Sequence, residues 1–194
     1  TTKGKIKTKT LGMVVAGNSS VLADKAGFRL PIESVALQAL VSEPVKPCMD
    51  VVVMANTVHG YMSQSDKGEM VIGGGTDGFN NYTQRGSFHH IEETVRALIE
   101  TFPMISRLKM LRQWGGIVDV TGDRSPIISK TPLSGCFLNC GWGTGGFKAI
   151  PGSGWAMAET MATGAPSILA SAFSLDRFKE GRFIDESVAA GVAH

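Results

Sequence analysis

Cys136-Phe-Leu-Asn-Cys-Gly-Trp-Gly-Thr-Gly-Gly-Phe-Lys-Ala-Ile-Pro-Gly-Ser-Gly154 is the stretch on which the reading of the fold turns. Cys136 to Cys140 is short and apolar, so it reads as a buried strand. Glycines follow at 141, 143, 145 and 146, with Lys148 and Pro151 behind them. From Ser153, small and apolar residues read as a helix. A strand that gives way to bare backbone and then to a helix start lets main-chain N–H groups reach an anion or a planar ring. Glycine removes the side chains that would hold such a group off, and Lys148 sets one cation beside it. The same stretch reads equally as a tight strand-to-helix connection that meets no ligand.

Gly141, Gly143 and Gly146 also spell G-x-G-x-x-G. A dinucleotide fingerprint opens a βαβ unit and is followed about twenty residues later by an acid that ends the next strand. No such strand follows here, and Pro151 interrupts the turn into the helix. The loop is therefore expected to be a second contact to a cofactor whose main site lies elsewhere.

The 194 residues suffice for one large domain or two small ones. With 43% hydrophobic residues the composition is that of a soluble globular chain. A net charge of +2 gives no argument for nucleic acid. Lys3, Lys5, Lys7 and Lys9 alternate with other residues, which fits an exposed strand face. No apolar run reaches membrane-spanning length, and residues 1–10 lack the apolar core of a signal peptide. Cys48, Cys136 and Cys140 are too few for a disulfide framework, and the four histidines show no zinc spacing. Buried free thiols fit a reducing cytoplasm.

Upstream, Ile6–Thr10 and Leu11–Ala16 read as strands, and Met13–Ala16 is apolar enough to be buried on both faces. A short helix, Val21–Ala26, follows, with Ser19 or Ser20 as its N-cap and Gly27 as its stop. Residues 35–77 change texture. Leu37–Val41, Val51–Ala55, His59–Ser63 and Glu69–Gly73 read as antiparallel strands, with turns at Pro44, Pro47, Asn56-Thr57 and Asp66-Lys67-Gly68. Tyr61 shares a strand face with His59 and Ser63; Tyr61 is expected to line a pocket and His59 to face solvent. Gly73-Gly74-Gly75 permits a bulge, a close approach by a ligand or a flexible turn. Ser87 caps the clearest helix, whose apolar stripe is Ile91, Val95, Leu98, Ile99 and Phe102. Pro103 ends it, and His89 and His90 in its first turn read as surface residues. Leu108–Leu111 and Trp114–Val120 return to strand, and Asp176–His194 is a polar tail. The order is α/β, then an antiparallel sheet with one helix, then α/β again.

Several motifs resemble a known family. Trp114-Gly-Gly-Ile-Val-Asp119, Asp123-x-Ser-Pro-Ile-Ile128, Asn139-Cys-Gly-Trp-Gly-Thr-Gly-Gly-Phe-Lys148 and Pro151-Gly-x-Gly154 resemble the FAD-dependent amine oxidases of the D-amino-acid oxidase type. Within that family the β subunits of heterotetrameric sarcosine oxidase are similar also at Leu37–Glu43, Gln84-Arg-Gly86, Phe173-Ser-Leu-x-Arg-Phe178 and Val192-Ala-His194.

The resemblance implies an α/β (α+β) fold: part of an FAD-binding domain (residues 1–34 and 112–170), an inserted antiparallel-sheet substrate domain (35–111) and a C-terminal tail (171–194). It implies oxidation of the secondary amine sarcosine through FAD, then a covalently held FMN and oxygen, to glycine, a one-carbon unit and hydrogen peroxide. It implies α, γ and δ partner subunits. Lys148 matches the family lysine beside flavin and substrate, Gly143 and Gly146 match backbone contacts to FAD, and Tyr61 falls near a substrate-side tyrosine. The family's N-terminal G-x-G-x-x-G and its FMN-carrying histidine are not in the sequence, which begins at Thr1. The expectation is a C-terminal half of such a subunit, inactive and poor at holding FAD by itself. Two other readings stay open: a D-amino-acid or glycine dehydrogenase or oxidase of the same fold, and a non-catalytic fragment that docks partner subunits.

Overall fold

The computed structural model describes residues 1–55 and 60–184. His59, the Asn56-Thr57 turn and His194 lie outside the described residues. In chain order the elements are β1 (Leu11–Met13), α1 (Ser19–Lys25), β2 (Ile32–Pro44), β3 (Val53–Ala55), β4 (Gly60–Gln64), β5 (Glu69–Thr76), α2 (Phe88–Thr101), β6 (Met110–Thr121), β7 (Ile127–Lys130), β8 (Cys136–Cys140) and α3 (Gly146–Thr163). Among the described residues two compact units emerge, one from Thr1–Glu33 with residues 119–184, the other from Ser34–Val118.

In the first unit β8 is the middle strand of three, parallel to β1 and antiparallel to β7. Side chains alternate across a strand. Cys136, Leu138 and Cys140 join Met13, Ala23 and Leu175 in one cluster, while Phe137 joins Ala156, Met157 and Ala170 in another. Helical residues from α1 cover one face and from α3 the other, so all five residues of β8 are buried, as the apolar run requires.

Three expectations for this unit are corrected. Ile6–Thr10 forms no strand: the segment is exposed, and alternation alone does not make a strand without a hydrogen-bonded neighbour. The next strand stops at Met13, because Ala16 takes φ 45° and residues 16–18 turn as a 3-10 helix; Val14 and Val15 are exposed rather than buried on both faces. The N-cap of α1 is Asn18 without a side-chain bond, and Ser19 is instead the first helical residue, its hydroxyl donating to Ala16 O.

The second unit is a five-stranded sheet in the order β3-β4-β5-β2-β6, with β3/β4, β4/β5 and β5/β2 antiparallel. Leu40, Met62, Met70 and Ile72 from the sheet and Leu98 from α2 make its core, with Ile91, Val95, Ile99 and Phe102 packed against it. The stripe read from the sequence is therefore the face that α2 buries. Ser87 caps that helix by accepting the N–H of His90, and Pro103 opens a separate 3-10 turn.

Candidate cofactor and substrate site

At the end of β8 the chain folds back on a buried carboxylate. Gly141 N donates to Asp119 Oδ2 at 2.5 Å, and Gly143 N donates to Asp119 O at 2.8 Å. Asn139 Oδ1 accepts the Trp142 indole N–H at 2.6 Å, which fixes the ring over the α3 side of the unit. Burial pushes the Asp119 carboxyl above its ordinary value, and the backbone N–H groups of Gly141, Asp119, Trp142 and Gly143 oppose that rise. Asp119 thus sets the path of the loop.

The loop ends in a helix that begins earlier than its composition suggests. α3 starts at Gly146, not Ser153, and carries Pro151 in its second turn. The proline costs one bond, that to Phe147 O, and both residues are exposed, so this carbonyl is open to solvent. Gly145 caps α3 without any side-chain hydrogen bond. The first amides of the helix are then open donors at its positive end.

Lys148 is the third residue of α3 and is exposed, and its side chain makes no hydrogen bond or ion pair to another described residue. Phe147 beside it is 88% exposed. Gly143 has φ +52°, and a Cβ placed there would meet nothing nearer than 3.9 Å. Gly143, Gly146 and Lys148 therefore sit together at one strand-to-helix junction with bare backbone around them.

Tyr61 belongs to the second unit. It lies on β4 opposite Gly73 of β5, and a Cβ on Gly73 would stand 2.5 Å from its hydroxyl oxygen. The ring occupies the space that the missing side chain leaves. Burial raises the Tyr61 pKa. At the same strand end His90 Nε2 is 2.6 Å from Gly74 O, so Nε2 carries the proton and donates. His90 is thus half-buried and holds the glycine run, where the sequence suggested a surface residue. Asp119 and Asn139 were also not singled out; an acid inside the apolar run of β6 was the signal that pointed to the former. Among the described residues no cluster of His, Cys, Asp and Glu could hold a metal, and no helix is long and apolar enough to cross a membrane.

The uncapped helix start and the glycine backbone leave N–H donors open to an anion, and Lys148 adds a cation beside them. The sequence model of the FAD dependent oxidoreductase family matches residues 1–160, and the chain belongs to that family. It is 78% identical over its full length to sarcosine oxidase subunit beta of Rhodobacter capsulatus, covering 47% of that protein. It is 54% identical over its full length to sarcosine oxidase subunit beta of an Arthrobacter species, covering 48% of it. The chain thus spans about half the length of the curated relatives it matches. Among solved structures, L-proline dehydrogenase from P. horikoshii superposes with a TM-score of 0.80 at 24% identity, over 92% of this chain and 49% of that one. Glycine oxidase from Geobacillus kaustophilus gives a TM-score of 0.77 at 19% identity, over 91% of this chain and 47% of that one. Both share the fold.

Proposed function

We propose that the chain forms part of a flavin-dependent sarcosine oxidase subunit. The observation that carries the reading is the junction of β8 and α3: a glycine loop pinned by Asp119, an uncapped helix start, and a free Lys148. The high identity to sarcosine oxidase subunit beta supports the choice of substrate. FAD, when bound, supplies the acceptor for the hydride equivalent taken from the amine. In this reading the unit containing β8 and α3 belongs to an FAD-binding domain, and residues 35–111 to a substrate domain.

Gly143 and Gly146 offer backbone contacts to the cofactor. Lys148 places a positive charge where the substrate carboxylate or developing negative charge is to be held. Tyr61, on β4 of the second unit, is the proposed substrate-side hydroxyl; a tyrosine is protonated at neutral pH, and burial raises its pKa further. Sarcosine leaves as an imine that water converts to glycine and a one-carbon unit. The wider assembly we propose has α, γ and δ subunits and a covalent FMN that passes electrons to oxygen, in the cytoplasm. A chain spanning half of its relatives is proposed to need the remainder for tight FAD binding and turnover.

The test is Lys148→Met in a protein of the relatives' full length carrying this sequence. If Lys148 stabilises charge developing during the reaction, flavin reduction by sarcosine in a rapid-mixing experiment slows by on the order of a hundredfold. A raised KM with an unchanged kcat assigns it to ground-state anchoring of the carboxylate. A normal reduction rate and a normal KM would remove Lys148 from the site.

A further inference from the structure

Two motifs noted in the sequence, Asp123-x-Ser and Leu-x-Arg-Phe178, have no place in the site described so far. In the structure they meet. Arg177, only 1% exposed, sends Nε to Asp123 Oδ2 at 2.7 Å and Nη2 to Asp123 Oδ1 at 2.9 Å. Its Nη2 also reaches Ser125 O at 2.8 Å, Nη1 reaches Ser174 O at 3.0 Å, and the guanidinium lies 4.1 Å from the centre of the Phe178 ring. The carboxylate is equally engaged, accepting from Ser125 N and Ile184 N at 3.2 Å each. A buried bidentate pair of this kind fixes geometry more than it adds stability.

What it fixes is a turn that touches the glycine loop. Ser125 O accepts from Thr121 Oγ1 at 2.7 Å as well as from Arg177. The Thr121 methyl in turn fills the place of a side chain on Gly141, where a Cβ would stand 2.7 Å from it. Gly141 has φ +75° and is the first residue of the loop. We propose that Arg177 and Asp123 are positioning residues for the glycine loop, acting through Ser125 and Thr121 on the backbone of Gly141. The C-terminal segment thereby controls how the loop amides are presented. The inference rests on the flavin reading for what those amides meet, while the coupling itself is independent of any cofactor.

Amide exchange measured by NMR on the cofactor-free chain tests it. In Arg177→Lys, which keeps the charge and loses the fork, the Gly141 and Gly143 amides are expected to exchange about tenfold faster while Leu138 and Ile72 keep wild-type rates. Unchanged glycine amides would overturn the proposal, and so would an equal acceleration at all four positions, which signals general loosening. Should Arg177→Lys fail to fold, Phe178→Leu loosens the guanidinium without removing a hydrogen bond and is read by the same criteria. A wild-type full-length protein that binds no FAD would overturn the function proposed above and leave this coupling standing. Normal FAD binding with unmoved loop amides would overturn the coupling alone.

Discussion

Cys140 shows how far a side chain's chemistry depends on where the fold puts it. It closes β8 in the core, and burial, with the nearby Asp119 charge, pushes its thiol up to about 12. Thiolate is the reactive form, so Cys140 should stay unmodified by iodoacetamide in the native protein, as should Cys136, which is buried from the reagent, while exposed Cys48 reacts. Mass spectrometry of the labelled chain checks this, and labelling of Cys140 before unfolding would contradict the burial. Tyr61 follows the same logic with a different reporter. Its folded pKa lies above the ordinary value, so the unfolded state loses its proton first. The stability it contributes is complete below about pH 10 and declines as pH rises through its raised folded value. Gly73 opposite it has no slack: Gly73→Ala puts a methyl 2.5 Å from the Tyr61 hydroxyl oxygen. Overpacking of this kind costs about 1–3 kcal/mol, so the variant should unfold at lower denaturant, and Gly73→Ala/Tyr61→Phe should recover part of the loss.

Elements differ in how much of them a local pattern carries. β8 and α2 were legible because each states its own packing: a five-residue run, apolar except for Asn139, for a strand covered on both faces, and a stripe at helical spacing between Ser87 and Pro103. β1 was overread because an apolar run does not say where its hydrogen-bonded neighbours end; pairing with β8 stops at Met13. α3 was underread because Gly146, Pro151, Gly152 and Gly154 are poor helix formers, yet all lie inside it. Propensity is a weak prior that context overrides, and here the weak residues occupy the turns that expose backbone beside Lys148. A helix kept bare in this way is not optimised for stability. Pro151→Ala restores one backbone donor at a site where proline typically costs about 3 kcal/mol. A rise in melting temperature is expected, followed by circular dichroism; a fall would show that the proline is matched to its position.

Across the whole chain, legibility tracks sequence separation. Gly143, Gly146 and Lys148 could be read together because the chain places them side by side. The contacts made at long range could not: Asp119 reaches Gly141 across 22 residues, and Arg177 reaches Asp123 across 54. These two aspartates also give the protein opposite responses to acid. Burial pushes Asp123 up, but the hydrogen bond and charge of Arg177, with the N–H groups of Ile184 and Ser125, bring it down to about 2. Its contribution is therefore complete above the ordinary carboxylate value of about 3.9 and is lost as pH falls toward 2. Asp119 is raised, so it disfavours the folded state progressively as pH rises past about 3.9 and stops doing so in acid. Urea unfolding between pH 2 and 7 separates them. The stability gap between wild type and Asp123→Asn should widen as pH climbs from about 2 to 4 and reach about 3–5 kcal/mol, the cost of breaking a buried pair. The gap between wild type and Asp119→Asn should instead narrow as pH climbs above about 4, because wild type alone must then carry the buried charge. If both gaps move in the same direction with pH, one of the two carboxylates is not held as the structure describes.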